Sequence, residues 1–230
     1  WRGIALMKLK EFQDAENDFK FALNSGVEEF SVKASLKLGT IKFSQEKYQE
    51  ALKYYYTVIE EDEKGDLAFD AATNFAVVCK TIKEWQKAID AYEIILERWG
   101  DEKLQSETVF DIAFCYYRDK KYPKSIEMFQ KSLTLLKEDV GKAEAQYWIG
   151  DSYFGMEDFD KAVTAYLKVS YNYPAITRWA ATAELQAAES YLRDEKYEKA
   201  VKILKRIISK YGAGSNWGNQ ANKKLKRLGM

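Results

Sequence analysis

The sequence predicts an all-α fold in which antiparallel helix pairs stack into a solenoid. One short phrase, an aromatic residue followed three positions later by a small one, recurs six times along the 230 residues. Helical periodicity runs through the chain, no strand-like alternation persists, and only 2 prolines interrupt it. A two-helix unit repeated at a nearly fixed period indicates a repeat protein.

The aromatic residue of this phrase marks the period of the repeat. Successive aromatics are separated by 36, 37, 37, 37 and 38 residues. The charged and polar residues before each aromatic predict a turn, after which the aromatic enters a helix. Pro123 lies near a first-turn position of one such helix, where its missing N–H costs little. The six aromatics are Phe12, Tyr48, Trp85, Tyr122, Phe159 and Tyr197.

Small and bulky residues recur at fixed offsets from this phrase. Twelve residues before its closing small residue lies a second small one, and four residues after it lies a bulky one. Small residues let two helix axes approach closely and bulky ones fill the adjoining space, so each repeat is predicted to be an antiparallel helix pair. The second small residues are Gly3, Gly39, Ala76, Ala113, Gly150 and Ala188, and the bulky ones are Phe19, Tyr55, Tyr92, Phe129, Tyr166 and Leu204.

The helices follow in order from this register. Residues 11–24 are predicted to form the second helix of a partial first repeat. Residues 212–216 end the helix that precedes them, and residues 217–228 form a terminal helix with a polar outer face. Such a helix covers the apolar side of the last repeat, as a solenoid requires. The predicted pairs are 30–44 with 47–61, 66–81 with 84–99, 104–118 with 121–136, 141–155 with 158–171, and 177–193 with 196–210.

This pattern resembles the tetratricopeptide repeat family, and the residues that match it best are Gly150, Tyr153, Ala162, Tyr166 and Pro174. The chain departs from the family in its period of 36–38 residues, since the usual period is about 34. The longer repeats and their "YxYP" ending are similar to bacterial envelope members, such as the outer-membrane-assembly and Tol–Pal-associated lipoproteins. A periplasmic or envelope location is therefore expected from the family likeness.

The resemblance implies that residues 1–230 form a single right-handed superhelical solenoid. It contains a partial repeat, five full repeats and a capping helix. Their predicted bounds are 1–25 for the partial repeat, 30–62, 66–100, 104–138, 141–174 and 177–211 for the full repeats, and about 215–229 for the cap.

The resemblance also implies a protein-interaction scaffold or adaptor, with the first helices lining a concave groove. We expect an apolar or aromatic peptide or helix in this groove, because contiguous exposed aromatics mark interaction sites. The alternative is that some of these rings belong to the core between helices. The predicted groove residues are Phe43, Phe110, Phe114, Tyr117, Tyr147, Asp151 and Phe154.

Charge is distributed unevenly, although the 36 basic and 36 acidic residues give a net charge of zero. Residues 191–230 carry 11 basic and 3 acidic side chains. This basic face either solubilises the cap and complements the helix dipoles, or contacts an acidic partner or an anionic membrane. Nucleic acid is not expected, because no motif that recognises it is present. The predicted face consists of Lys202, Arg206, Lys223, Lys224 and Arg227.

We expect no enzymatic site in this chain. We also expect no cofactor, no metal and no small-molecule substrate. The chain has no histidine, which excludes His-dependent nucleophile activation and acid–base catalysis. Cys79 and Cys115 are 36 residues apart, lack metal-ligand spacing and sit among apolar residues. An alternative to the adaptor is a structural component that oligomerises or docks end to end through an open first repeat, with Trp1, Ile4 and Leu6 as contact residues.

Overall fold

The computed structural model describes residues 2–61 and 65–229, and over these residues it is all-helical. The predicted all-α fold of helix pairs is confirmed, and the helix ends lie within about two residues of the predicted ones. Trp1 lies outside the described residues. The helices are α1 Arg2–Lys8, α2 Phe12–Leu23, α3 Glu28–Ser44, α4 Tyr48–Glu61, α5 Asp66–Thr81, α6 Trp85–Trp99, α7 Glu102–Arg118, α8 Tyr122–Leu135, α9 Asp139–Gly155, α10 Phe159–Asn172, α11 Thr177–Arg193, α12 Tyr197–Tyr211 and α13 Asn216–Arg227.

Contacts divide the chain into two compact units, residues 1–108 and 109–230, and the division falls within α7. In the first unit each helix from α1 to α6 packs against the next, and α3 also contacts α5. In the second unit the same holds from α8 to α13, with additional contacts of α9 with α11 and of α11 with α13. Each unit is therefore a stack of helix pairs, while the single domain over residues 1–230 stays a prediction.

Glycine lies beneath a large ring where the helices of a pair cross most closely. A Cβ atom built on Gly150 would lie 2.6 Å from a ring carbon of Tyr166, and one on Gly39 would lie 2.6 Å from a ring carbon of Tyr55. Both tyrosines are at most 1% exposed. The predicted pairing of small and bulky residues is thus observed, and it lets the helix backbones approach to the distance that a glycine allows.

The turn inside each pair has the same left-handed backbone, although no glycine occupies it. In the fifth of the six turns, Glu157 has φ 61°, its N–H donates to Phe154 O at 2.9 Å, and the Asp158 N–H donates to Tyr153 O at 3.0 Å. This hydrogen-bond pair is a Schellman motif, in which the left-handed position is usually glycine. The left-handed residues of the six turns are Lys10, Glu46, Lys83, Lys120, Glu157 and Glu195, each two positions before the repeat aromatic.

A buried ion pair joins α2 to α3 in the first unit. Glu16 and Lys42 are each 4% exposed, and Lys42 Nζ lies 2.8 Å from Glu16 Oε1. Lys20 also contacts Glu16 at 2.7 Å. Burial alone raises the pKa of Glu16, but the hydrogen bonds from Lys20 and Lys42 outweigh it and hold the pKa at about 2. The carboxylate therefore stays ionised and links the two helices.

The terminal helix α13 closes the second unit against α12. Its buried residues are Gly218, Ala221 and Leu225, and Ser215 caps its first turn by accepting from the Gly218 N–H at 2.9 Å. This is the amphipathic capping helix that the sequence predicts. Within the described ranges, none of the helices combines the length and apolar character needed to cross a membrane.

Candidate partner-binding site

Five aromatic side chains form a continuous set of ring contacts on the first helices of the second unit. We call them the aromatic face, which consists of Phe114 and Tyr117 on α7, Tyr147 and Trp148 on α9, and Trp179 on α11. Trp148 is central, with ring centroids 5.1 Å from Phe114, 5.0 Å from Tyr117 and 5.3 Å from Tyr147. Tyr147 extends the contacts to Trp179 at 5.1 Å. The face thus runs across three successive first helices.

The exposure of the rings differs along this face. Tyr147 is buried, at 8% exposed, because it lies between Trp148, Trp179 and Tyr166. Phe114, Tyr117, Trp148 and Trp179 are half-buried. Half-buried rings pack on one side and leave apolar surface for a partner on the other, and such rings contribute much of the energy at interfaces.

Asp151 is the charged centre of the site. It follows Tyr147 by one helical turn and is half-buried. The Tyr117 hydroxyl donates to Oδ2 of this carboxylate, and the Tyr166 hydroxyl donates to Oδ1 at 2.8 Å. Hydrogen bonds to an ionised acceptor are stronger than neutral ones, so the two phenols hold the carboxylate in one orientation.

The tyrosines keep their protons well above neutral pH. Burial raises the pKa of Tyr147 to about 12, and the nearby charge of Asp151 adds to the effect. The same two causes raise the pKa of Tyr117 and of Tyr166. All three phenols therefore act as hydrogen-bond donors throughout the physiological range.

Polar groups flank the aromatic face on both sides. Glu144, one turn before Trp148, accepts its indole N–H at 3.3 Å. On α11, Gln186 Nε2 lies 3.5 Å from the Tyr147 hydroxyl. Further along the same helix, Glu189 is ion-paired with Lys224 of α13. The charge of Glu189 is therefore compensated within the chain.

The structure joins four of the predicted groove residues, Phe114, Tyr117, Tyr147 and Asp151, through ring contacts and hydrogen bonds, while Phe110 and Phe154 pack against neighbouring second helices. Phe110 packs edge-on against the fully buried Phe129 at 5.2 Å, and Phe154 packs against Phe159 of α10 at 5.5 Å. Phe43 lies in the first unit, 5.9 Å from Tyr48. The burial of Tyr147 and the packing of Phe110 agree with the alternative that some of these rings belong to the core.

Sequence reasoning missed three members of the site. Trp148 and Trp179 are not among the predicted groove residues, and Tyr166 is predicted only as a bulky residue that fills the space between two helices. The Tyr166 hydroxyl donates to Asp151, so Tyr166 belongs both to the core and to the candidate site. The available signal was the density of aromatics around residue 148, since Trp148 directly follows Tyr147.

The five residues of the predicted basic face are distributed over α12 and α13. Arg206 contacts Glu184 at 3.5 Å, whereas Lys224 pairs with Glu189. Lys202, Lys223 and Arg227 are exposed and form no ion pair with a described residue. Contact of this end with an acidic partner or an anionic membrane stays a prediction.

The first unit carries a separate apolar surface. Phe21 is 83% exposed and Phe30 is 53% exposed, and Ile4 is 37% exposed. An open groove of about 570 Å³ is lined by Ile4, Phe19, Phe30 and Leu67 among others, and Phe21 lies outside it. Large exposed apolar side chains that line one groove are typical of interaction surfaces.

Models of the tetratricopeptide repeat family match more than half of the chain. One model, described as tetratricopeptide repeat, matches residues 2–66. A second with the same description matches residues 144–175 and 182–213. No curated protein matches the sequence.

Several solved structures share the fold at low sequence identity. A MamA structure is 19% identical, covers 79% of this chain and 92% of its own, and has a TM-score of 0.61. YrrB, described as a TPR protein with an unusual peptide-binding site, is 18% identical, with 89% and 97% covered and a TM-score of 0.58. The C-terminal part of a TPR repeat-containing protein from Cytophaga hutchinsonii is 16% identical, with 97% and 84% covered and a TM-score of 0.68.

Proposed function

The chain belongs to the tetratricopeptide repeat family, and we propose that it is a non-catalytic adaptor that binds an apolar or aromatic peptide or helix on the aromatic face. Proteins of this family are typically interaction scaffolds with protein or peptide partners. One solved relative of this fold, YrrB, is described as having a peptide-binding site. That the adaptor works within an assembly of the bacterial cell envelope rests on the likeness of its longer repeats to envelope members, and stays a prediction.

The observation that carries the proposal is the continuous series of ring contacts across α7, α9 and α11, in which the buried Tyr147 joins the half-buried Trp148 to the half-buried Trp179. Phe114, Trp148 and Trp179 come from three separate helices, and ring contacts join them into one surface. At its two ends the guanidinium groups of Arg118 and Arg178 lie over the rings of Phe114 and Trp179. A segment laid across successive first helices would contact all three. Because the rings are already packed, little side-chain freedom is lost on binding, which favours affinity.

The experiment compares partner capture by the native chain and by a variant with Phe114→Ala and Trp179→Ala. These positions lie at the two ends of the aromatic face, and both side chains are half-buried. Proteins crosslinked to the native chain in its own cell lysate would be identified by mass spectrometry. We expect the double variant to lose at least tenfold in affinity for the captured partner, since interface aromatics commonly contribute 2 kcal/mol or more each.

The matched control is Tyr171→Ala on α10. Tyr171 is 86% exposed and lies away from the aromatic face, so its removal should leave capture unchanged. Circular dichroism and thermal melting of each variant separate lost binding from lost folding. Equal capture by the native chain and the folded double variant would refute the location of the site.

A second candidate function is self-association through the apolar surface of the first unit. The exposure of Phe21 and Phe30 favours it, because burying two such rings against another copy would stabilise a dimer. Light scattering over a concentration series tests it, with Phe21→Ser and Phe30→Ser in one variant. A concentration-dependent mass that the variant abolishes supports the structural role, and a constant monomer mass for the native chain refutes it.

A further inference from the structure

The Asp151 carboxylate is a charge without a counter-ion. It accepts two hydrogen bonds, from Tyr117 and Tyr166, and forms no ion pair with any cation among residues 2–61 and 65–229. An ionised carboxylate offers about four acceptor positions, so the phenols of Tyr117 and Tyr166, with the Tyr147 hydroxyl also close to Asp151, do not use all of them. Other shielded acids of this chain do have cations, as Glu16 and Glu184 show. Partial burial of an unpaired charge is unfavourable, and a cation arriving from outside would relieve it.

Ring faces lie beside this charge. Tyr117 contacts Trp148 at 5.0 Å between ring centroids, and its hydroxyl is the one that holds Asp151. Tryptophan and tyrosine rings attract cations over their faces, Trp most strongly. Glu144, bonded to the Trp148 indole N–H, adds a second negative charge at the same surface. A carboxylate beside aromatic rings combines the two kinds of group that bind an ammonium or a guanidinium.

The carboxylate is also fixed before any partner arrives. Two phenol donors orient its oxygens, and Tyr166 is itself fully buried. A preorganised acceptor needs no rearrangement to bind a cation, which saves part of the entropic cost of association. An anionic partner group would instead meet Asp151 with like charge.

We propose that the aromatic face recognises a lysine or arginine side chain within an apolar segment of the partner, and that Asp151 binds its cationic group beside the Trp148 and Tyr117 rings. This inference rests on the proposed function, because it names the chemistry of the segment bound at the same surface. The apolar neighbours of the basic residue would contact Phe114 and Trp179. Specificity comes from the carboxylate and affinity from the rings.

The test uses a phage-displayed library of random twelve-residue peptides, panned on the full chain. We expect the enriched peptides to carry a Lys or Arg flanked by apolar or aromatic residues. The most enriched sequence is then synthesised in two forms, one native and one with the basic residue replaced by norleucine for Lys or citrulline for Arg. Calorimetry should show that the replacement weakens binding about tenfold or more, as expected for a hydrogen-bonded charge pair.

A protein variant closes the thermodynamic cycle. Asp151→Asn should weaken the binding of the basic peptide by about the same factor and leave the binding of the neutral peptide unchanged. This result would identify the Asp151 carboxylate and the basic side chain of the peptide as partners. The matched control is Glu127→Gln, which removes an exposed acid of α8 and should affect neither peptide. The peptide replacement does not depend on the folding of any variant, so the inference stays testable if Asp151→Asn is unstable.

The two levels of the proposal fail in different ways. The cation site is refuted if the enriched peptides lack a basic residue, or if they bind the native chain and Asp151→Asn equally. The proposed adaptor function is still supported in that case if the double variant Phe114→Ala with Trp179→Ala no longer binds these peptides. Peptides that bind this double variant as well as the native chain overturn the adaptor surface and the cation site together. The same conclusion follows if panning enriches no peptide at all.

Discussion

Gly150→Ala should destabilise the second unit although alanine is the better helix former. The added Cβ would lie 2.6 Å from Tyr166 Cδ1, 2.7 Å from Cε1 and 2.9 Å from Cγ. Carbon atoms in contact are normally about 3.5–4.0 Å apart. Since Tyr166 is fully buried, its ring has no free space to move into.

The change in the free energy of unfolding caused by Gly150→Ala is the sum of two destabilising contributions and one stabilising contribution. Overpacking of a close core typically costs about 1–3 kcal/mol. Displacing the Tyr166 ring also strains its hydrogen bond to Asp151, which is worth about 1 kcal/mol or more. The higher helix propensity of alanine relative to glycine stabilises the folded state by about 1 kcal/mol. The net expectation is a loss of about 2 kcal/mol in the free energy of unfolding.

Urea denaturation followed by circular dichroism measures this loss. With a slope of about 2–3 kcal/mol per molar urea, the midpoint should fall by about 0.7–1 M. Gly214→Ala is the control, because a Cβ there meets no atom within 4 Å, and its midpoint should hardly move. A midpoint for Gly150→Ala equal to or above that of the native chain would show that the ring does yield, and would refute the packing argument.

Three further predictions concern a turn, an ion pair and the site. Glu157→Gly should raise the free energy of unfolding by about 0.5 kcal/mol, because relief of the left-handed strain exceeds the entropic cost of glycine. Glu16→Gln should cost about 2 kcal/mol at pH 7, because the buried Lys42 then keeps only Glu50, at 3.1 Å, as an acidic partner among the described residues. The pKa of Glu16 in the folded chain is about 2, below the ordinary 4.5 of a glutamate, so this stability is complete above about pH 5 and is lost as the pH falls towards 2. A pH series of urea midpoints should therefore show a flatter profile for the variant than for the native chain. Tyr117→Phe should cost about 1.5 kcal/mol in urea unfolding, since Asp151 loses one of its two phenol donors.

Each of these predictions has a control in the same chain. Glu127→Gly places glycine in a regular helix and should destabilise where Glu157→Gly stabilises. Glu29→Gln breaks an exposed pair with Lys33 and should leave the acid profile as in the native chain. Tyr171→Phe removes the hydroxyl of an 86% exposed ring and should be neutral. A control that changes as much as its test variant contradicts the corresponding explanation.

The helix pairs were predictable because their contacts repeat at a fixed offset. Gly150 and Tyr166 occupy the same relative positions as Gly39 and Tyr55, so one register describes both crossings. The left-handed turns were not predictable from residue type. Glu157 and its equivalents are lysine or glutamate, which rarely adopt this backbone, and only the structure shows that every turn of the repeat requires it.

The candidate site was predictable in part for a related reason. Asp151 and Tyr117 were assigned from their positions on single helices, which the repeat defines. The burial of Tyr147 depends on Trp179 from the next pair, and the anchoring of Asp151 depends on Tyr166 from its own second helix. Each of these contacts joins two residues that are far apart in sequence. Because the side chains at these positions differ from one repeat to the next, the periodic pattern does not predict the contacts.

The identical Schellman turns bear on how such a chain can change in length. Lys120, Glu157 and Glu195 have φ values of 58°, 61° and 56°, at intervals of 37 and 38 residues. A gene duplication or deletion of one interval would rejoin two ends that already share the same backbone geometry. New junctions of this kind need no compensating substitutions, so the number of repeats can vary while each surviving repeat keeps its own side chains for its own partner.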